Sequence, residues 1–202
     1  MTKVLCDYLI KDAIAQSCSD PVTPGLERTG VIINRQDINF GGITYNSTNA
    51  NTIETLPLKT GKQGYAIYQP ANNPFNGTNK AFAVGTNVNT FTKQVKFVVL
   101  EQNPDVSKKV IDGLANGDFV IVLENKYKSL TDASGANAFE VYGLENGLRQ
   151  SEGTIALSGD DADGSYIVTM QEAKAPSYGI YLFKTDYDTT KALFDSLTTV
   201  TP

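Results

Sequence analysis

The chain has 202 residues, of which 41% are apolar and 19% are charged, and it contains neither histidine nor tryptophan. This length suits a single domain over residues 1–202 with a sizeable buried core. The absence of histidine excludes Ser-His and Cys-His nucleophile pairs and histidine metal ligands, so most hydrolase mechanisms lose their central residue. We therefore expect a protein that is not an enzyme, with no catalytic residue, no cofactor and no metal site.

The net charge of −5 is unevenly distributed along the sequence. Residues 1–100 hold 9 Lys/Arg and 6 Asp/Glu, a balance of +3, whereas residues 101–202 hold 8 and 16, a balance of −8. Affinity for a nucleic-acid backbone comes from clustered Lys and Arg, and the sequence has no such cluster. A surface low in charge often contacts another protein, and the opposite signs of the two halves would suit head-to-tail packing of copies.

The sequence carries no signal for membrane insertion or export. No apolar run approaches the roughly 18 residues of a membrane span, and charged residues interrupt the apolar ones in the N-terminal stretch MTKVLCDYLIKDAIAQ. We expect synthesis and use without Sec-type export, and no membrane partner. Without export, the two cysteines, Cys6 and Cys18, are expected to be reduced thiols, and whether they pair stays open.

The first predicted elements are a partly helical segment over residues 1–20 and a strand that follows it. Apolar residues spaced three to five apart indicate the helix. Asp-Pro and Pro-Gly turns between residues 20 and 25 separate it from residues 26–40, a predicted strand that Gly41 and Gly42 end.

Residues 44–94 differ in character from the rest of the chain. Asparagine is frequent, charges are few, and short β-like runs at 53–58, 65–68 and 81–84 are separated by glycine, proline and asparagine. We predict hairpins and extended loops that form a long excursion from the domain. Such regions are usually functional or mobile. The alternatives are an arm that becomes ordered against a neighbouring subunit and a surface meander.

Residues 95–125 predict a strand, a short amphipathic helix and a second strand. The first strand alternates apolar and other residues from Val95 onward. Asp105 stands at the expected N-cap of the helix, and Asn-Gly at 116–117 ends it. The second strand, at 119–123, is apolar at successive positions, which is typical of burial on both faces. We interpret the segment as a β-α-β unit whose helix covers a sheet.

Four more strands are predicted after this segment. Residues 138–142 alternate as a strand, and residues 178–184 form another. Between them, residues 154–157 and 165–170 flank the acidic loop 158–164 and predict a hairpin or a longer antiparallel return.

A final helix is predicted over residues 189–197. Asp188 stands at its N-cap, and Ala192, Leu193 and Leu197 lie on one face. Strands dominate the whole pattern, so the expected fold class is mainly β, of the α+β type.

The acidic run over residues 160–164 is the most distinct cluster of charged residues in the sequence. When it is aligned on Gly164 as a calcium loop of EF-hand type, position one is Gly159 and position twelve is Met170. A calcium loop requires acids at both positions. We therefore interpret the run as a solvated turn between strands.

Three other motifs have simpler explanations than a functional site. The glycines at 113 and 117 are too close for a phosphate loop and suit a helix C-cap. Asn46 and Asn76 match glycosylation acceptors by chance in an unexported protein. Spacing alone does not decide whether two carboxylates pair as in a glycosidase, because such pairs meet only in the fold.

The order of these elements resembles that of the tail tube proteins of long-tailed bacteriophages, particularly those of phages with Bacteroidetes hosts. The segments that carry the resemblance are VKFVVLEQ, DVSKKVIDGLANG, DFVIVLENK, AFEVYGLENGL, the hairpin around DDADGSY and the closing YGIYLFKTD. The opening CSDPVTPGLERTGVIINRQDINF is similar to the beginning of such virion proteins.

The resemblance implies a β-sandwich or barrel-like subunit with a flanking short helix and a C-terminal helix. It further implies homo-hexameric rings whose inner strands form a continuous β-barrel, with a long hairpin and the termini reaching the next ring. The protein would be made in the bacterial host cytoplasm and used in the virion tail. Its partners would be copies of itself, other tail proteins and genomic DNA passing through as non-specific cargo.

A tube lumen should repel DNA phosphates, and the acidic half of the sequence suits such a lumen if its acids face inward. The alternatives within the same class are a tail terminator, a head-tail connector and a capsid decoration protein. A β-rich carbohydrate-binding or ligand-binding module is a further alternative, since the ten tyrosines could form a sugar platform.

Overall fold

The computed structural model describes residues 10, 12–14, 21–128, 135–155 and 164–201. Within them the chain is mainly β. The strands are β1 Leu26–Asn34, β2 Thr44–Tyr45, β3 Thr52–Thr55, β4 Tyr65–Tyr68, β5 Asn79–Ala83, β6 Thr90–Val99, β7 Phe119–Asn125, β8 Phe139–Tyr142, β9 Arg149–Ile155, β10 Tyr166–Ala175 and β11 Ile180–Leu182. The helices are α1 Pro104–Val106, a π-helical turn Ser107–Ile111, α2 Asp112–Asn116 and α3 Tyr187–Ser196, with 3-10 turns at Arg35–Asp37 and Phe40–Gly42.

The strands form two stacked sheets. The seven-stranded sheet has the order β2-β3-β11-β8-β7-β1-β4, and the four-stranded sheet has the order β5-β6-β10-β9. Neighbouring strands are antiparallel except β3 and β11. The predicted mainly β class, with two sheets, a short helix and a C-terminal helix, is confirmed. Both described sheets are open and neither closes into a barrel.

Strand β7 lies at the centre of the core because it is buried on both faces. Val120 and Val122 point into one apolar cluster, which includes residues of α3. Ile121 and Leu123 point into a second cluster, which fills the space between the two sheets. The molecule therefore has three layers, in which α3 covers one face of the seven-stranded sheet and the four-stranded sheet covers the other.

The predicted order of strand, helix and strand in residues 95–125 is confirmed, but its interpretation as a β-α-β unit is wrong. Strand β6 pairs with β5 and β10, whereas β7 pairs with β1 and β8, so the two strands belong to different sheets. Leu114 of α2 is buried in the cluster between the sheets. The helix thus connects two stacked sheets. Alternation along a strand reports which face is buried and not which strand is its neighbour.

Both predicted helix caps are displaced by two residues. The Asn103 side chain accepts a hydrogen bond from the backbone N–H of Val106, so it caps α1 in place of Asp105. At α3 the Asp186 side chain accepts from the backbone N–H of Thr189, in place of Asp188. In each pair the true cap is the residue in extended backbone just before the first turn.

The buried face of α3 also differs from the prediction. Thr190, Phe194 and Leu197 are buried, Leu193 is partly buried and Ala192 is exposed. Ala192 lies two residues from both Thr190 and Phe194, which places it about 200° around the helix from each of them. It therefore faces solvent.

Residues 44–94, expected as an excursion, contribute β2, β3, β4 and β5 and the beginning of β6 to the two sheets. Ile53, Leu56, Leu58, Ile67 and Phe75 from this segment are buried in the core clusters. The exposed stretches of the segment are connections between strands, at residues 47–51, 59–62, 70–73 and 84–89.

The predicted helix over residues 1–20 lies mostly outside the described residues, as do Cys6 and Cys18. In the described part of the chain, no helix has the length and apolar character needed to cross a membrane.

We predict that Phe194→Ala lowers the free energy of unfolding by about 3–5 kcal/mol, because Phe194 is buried against Phe139 with ring centroids 5.0 Å apart. Ala192→Ser, on the exposed face of the same helix, should cost about 0.5 kcal/mol or less. Urea unfolding of both variants measures the difference. Equal losses would contradict the assigned face of α3.

Candidate assembly surface

The four-stranded sheet has one apolar face and one polar face. Val95, Phe97, Val168 and Met170 alternate along β6 and β10 and are buried against the seven-stranded sheet. The alternate positions of the same strands carry mainly Thr, Gln and other uncharged side chains and are mostly half-buried. This is the pattern of a sheet packed on one side and accessible on the other.

Both outer strands of this sheet have a free edge in the described part of the protein. Strand β5 pairs with β6 alone, and β9 pairs with β10 alone. An outer strand presents a row of unpaired backbone N–H and C=O groups, which is a ready template for pairing with another chain. The outer strands of the larger sheet, β2 and β4, are short, whereas β9 has seven residues.

A row of charged residues crosses the buried face of the four-stranded sheet near one end. Lys80 of β5 lies directly opposite Lys93 of β6, which lies directly opposite Glu172 of β10. The Lys93 side chain is 2% exposed and the Glu172 side chain 0%. Two neighbouring lysines in such a place require carboxylate partners, because an unpaired buried charge is strongly destabilising.

Lys93 is held between two carboxylates. Its Nζ lies 2.9 Å from Glu145 Oε2 and 3.5 Å from Glu172 Oε2. Glu172 also accepts backbone N–H hydrogen bonds from Gly143 at 3.0 Å and from Asn146 at 2.8 Å. Glu172 thus fixes the turn that follows β8 to the four-stranded sheet.

Lys80 pairs with a carboxylate of the opposite sheet. Its Nζ contacts Oε1 of Glu140 on β8, and the Tyr142 hydroxyl donates to Oε2 of the same carboxylate at 2.8 Å. The Lys80 ammonium also lies over the Tyr178 ring, 4.2 Å from its centroid. This pair ties the β5–β6 hairpin to the seven-stranded sheet.

Two tyrosines beside Glu140 have raised pKa values. Burial, followed by the charge of Glu140 and its hydrogen bond, raises the pKa of Tyr142 well above its ordinary value. Burial, followed by the charges of Glu140 and Tyr178, raises the pKa of Tyr181 to about 12. Both phenols therefore stay neutral hydrogen-bonding groups in the physiological range.

Beyond the charged row, the β5–β6 hairpin carries an exposed apolar surface that we call the hairpin patch. It consists of Phe82, Val84, Val88, Phe91 and Tyr178. The Phe91 ring makes edge contacts with Phe82 at 5.9 Å and with Tyr178 at 5.7 Å between centroids. Val84 is 83% exposed and Val88 73%, and Phe82 and Tyr178 are more than half exposed. Contiguous exposed apolar side chains mark contact sites for other molecules.

A second ionic cluster holds α3 on the other face of the larger sheet. Glu124 accepts a hydrogen bond from the Tyr187 hydroxyl at 2.6 Å, and Lys128 Nζ lies 2.9 Å from the same oxygen. Lys191 of α3 approaches the other oxygen of Glu124 at 3.9 Å. This cluster positions the helix and leaves no exposed reactive group.

An open groove of about 610 Å³ lies beside the 3-10 turns and is lined in part by Arg35, Phe40 and Lys59. The guanidinium of Arg35 stacks on Phe40 at 4.8 Å and donates to the carbonyl of Glu145 at 3.1 Å. Lys59 Nζ donates to the carbonyl of Gln36 at 2.7 Å. Both cations therefore have carbonyl partners in the fold, while Arg35 Nε and Asp118 Oδ1 are buried in the groove lining without a hydrogen-bond partner among the described residues.

The sequence motifs do not converge on a site in the described structure. The aspartates of the acidic run, Asp160, Asp161 and Asp163, lie outside the described residues. Within the described ranges no three Cys, Asp or Glu side chains are grouped to hold a metal ion. Asn46 and Asn76 lie in exposed loops far apart in the chain.

Sequence reasoning missed the four charged residues Lys80, Lys93, Glu140 and Glu172. A signal was present at Lys93, which continues the apolar alternation of Val95 and Phe97 and so falls on the buried face. Its partners could not be found in this way, because register across two sheets is a property of the tertiary structure.

The chain matches no model of a known protein family, no curated protein and no solved structure.

We predict that Lys93→Met lowers the free energy of unfolding by about 3–5 kcal/mol, since it leaves Glu172 buried without its counter-charge. Lys96→Met, on the accessible face of the same strand, should change it by about 0.5 kcal/mol or less. Denaturant unfolding at neutral pH compares the two. Similar losses of unfolding free energy would show that charge pairing in the buried row does not determine the stability of the protein.

Alkaline stability should depend on Tyr181. Its folded pKa of about 12 exceeds the ordinary value of 10.0, so the stability it contributes is complete below pH 10 and is lost as the pH rises toward 12. Tyr181→Phe should therefore flatten the decline of unfolding free energy between pH 10 and 12. Tyr68→Phe, at a mostly exposed tyrosine, is the matched control, and identical slopes for Tyr181→Phe and the parent chain would refute the assignment.

Proposed function

We propose that this protein is a structural virion protein that assembles into stacked rings forming the tail tube of a long-tailed bacteriophage. It acts through surfaces that pair with further copies of itself and has no catalytic role. The tube is a conduit for genomic DNA, and other tail proteins bind at its ends.

The observation that carries this proposal is the open four-stranded sheet. Its central strands, β6 and β10, have ten residues each, and its outer strands, β5 and β9, are unpaired on their far sides in the described structure. Pairing β5 of one copy with β9 of the next would satisfy both edges. Repeated around an axis, the same contact would close the sheets of several copies into one barrel, which removes all free edges.

The hairpin patch supports contact along the tube axis. It lies at the end of the β5–β6 hairpin, beyond the last buried row of that sheet. A subunit that remained a monomer would leave this apolar surface in water, whereas stacking of rings would cover it. The resemblance in sequence order implies a hairpin in this role.

The face of the sheet that would line the channel carries few charges. Outside the buried charged row, the charged side chains of the described strands of this sheet are Lys96, Arg149, Glu152 and Lys174, a balance of +2. The acidic lining expected from the C-terminal half is therefore not found on these strands. The proposed tube therefore does not rest on repulsion of DNA by this face.

The carbohydrate-binding alternative receives little support from the placement of tyrosines. Tyr45 lies on β2 at one edge of the seven-stranded sheet, and Tyr65 and Tyr68 lie on β4 at the opposite edge. Tyr65 and Tyr68 are three residues apart in a strand, so they point to opposite faces. These exposed tyrosines do not form one flat platform.

We predict that the purified protein forms rings or tubes with a central hole in negative-stain electron microscopy, at a mass in solution that is a multiple of the chain mass. Stacked rings or tubes would support the tail tube, and single rings that do not stack would favour a terminator or connector. A monomer at high concentration, with binding to sugars in a glycan screen, would overturn the proposal in favour of a binding module.

Proline substitutions in β9 test the edge contact directly. Successive residues of an outer strand direct their N–H groups alternately to the ladder and to the free edge, so Thr154→Pro and Ile155→Pro sample both directions. One of them should leave folding intact while abolishing assembly. If the folded variant still assembles, the free edge of β9 is not the contact between copies.

A further inference from the structure

Lys80 and Glu140 lie in the arrangement of a nucleophile and an electrophile. Lys80 is on β5 of the four-stranded sheet and Glu140 is on β8 of the seven-stranded sheet. Their side chains are 10% and 6% exposed, and Lys80 Nζ contacts Glu140 Oε1. The two groups are thus fixed against each other in the interior, between elements that are 60 residues apart in the chain.

The surroundings of this pair are aromatic and close-packed. The rings of Tyr178, Tyr142 and Tyr181 lie 4.2, 5.8 and 5.9 Å from Lys80 Nζ. Gly179 approaches from the remaining side, and a Cβ at that position would be 2.8 Å from Glu140 Oε1 and 3.2 Å from Lys80 Nζ. The pair occupies space that a glycine leaves open.

We propose that Lys80 and Glu140 join in an intramolecular isopeptide bond between the two sheets. The reaction begins with transfer of one proton from the Lys80 ammonium to the Glu140 oxygen that it contacts, Oε1, which gives an amine and a carboxylic acid. The Nζ lone pair attacks Glu140 Cδ and forms the N–C bond. The bond from Cδ to Oε1 breaks, and Oε1 leaves as water with the transferred proton and a second proton from Nζ.

The reaction needs no co-reactant, because the lysine ammonium and the glutamate carboxylate give one amide and one water. The Tyr142 hydroxyl donates to Oε2 and so stabilises the negative charge that develops on this oxygen, which remains as the amide carbonyl. Two groups held in contact react as if each were present at about 10⁵ M or more, which offsets the low intrinsic reactivity of a carboxylic acid toward an amine.

The neighbouring Lys93 does not meet the same conditions. Its Nζ is shared between two carboxylates, 2.9 Å from Glu145 Oε2 and 3.5 Å from Glu172 Oε2, and is not held against a single carboxyl group. Its nearer partner, Glu145, is 18% exposed and is accessible to water. Glu172 accepts two backbone N–H hydrogen bonds, which stabilise a carboxylate and make it a poor electrophile. One bond is therefore expected in this region, and not two.

The test is the mass of the full-length chain measured after denaturation. The expected result is a mass lower than that of the sequence by one water. Trypsin should fail to cleave after Lys80 but should cleave after Lys93, and it should release residues 63–93 covalently joined to residues 129–149. A chain at its full sequence mass, with separate peptides, overturns the proposal.

Two variants assign the bond to this pair. Lys80→Arg keeps the positive charge but cannot form the amide, so its mass should equal that of its own sequence. Lys96→Arg, on the accessible face of the same hairpin, should retain the loss of one water. A loss that persists in Lys80→Arg, or a linked peptide that lacks Lys80 or Glu140, also overturns the proposal. The peptide result from the parent chain is decisive even if Lys80→Arg fails to fold.

Discussion

The burial of β7 on both faces is the constraint on which the rest of the structure depends. Five successive residues of this strand, from Phe119 to Leu123, are almost inaccessible to solvent. An apolar strand of this kind is stable only when both faces are covered, so the chain must supply a layer on each side. Helix α3 supplies one layer and the four-stranded sheet supplies the other.

The two sheets are not joined by apolar contact alone. At the hairpin end of their interface, lysines and glutamates replace aliphatic side chains, and each is matched by a partner from another strand or turn. Such pairs add little net stability, because the cost of removing charges from water offsets their attraction. They do penalise any other register, since a shift by one residue would leave a buried charge unpaired. The charged row therefore fixes the position of the β5–β6 hairpin, which carries the hairpin patch.

Under the proposed function, this arrangement separates folding of the subunit from assembly of its copies. The seven-stranded sheet and α3 form a packed body whose apolar residues are mostly buried in the core. The four-stranded sheet packs one face against the core. Its two outer strands and the hairpin patch remain accessible, and in the proposed assembly they contact other copies. In the proposed assembly, the local sequence pattern determines the fold of the seven-stranded sheet and α3. Complementarity between copies determines how the outer strands of the four-stranded sheet pair.

The sequence by itself determined that strands dominate the chain, that β7 is buried on both faces, and that helices follow β6 and end the chain. These are consequences of periodicity and of turn residues, which act over a few positions. Only the tertiary structure decided that β6 and β7 belong to different sheets, that Asn103 and Asp186 are the caps, and that the strands of residues 44–94 belong to the two sheets of the core. It also decided that Lys80 meets Glu140 across 60 residues of chain. Pairing between distant strands depends on how whole layers stack, and no local pattern encodes that choice.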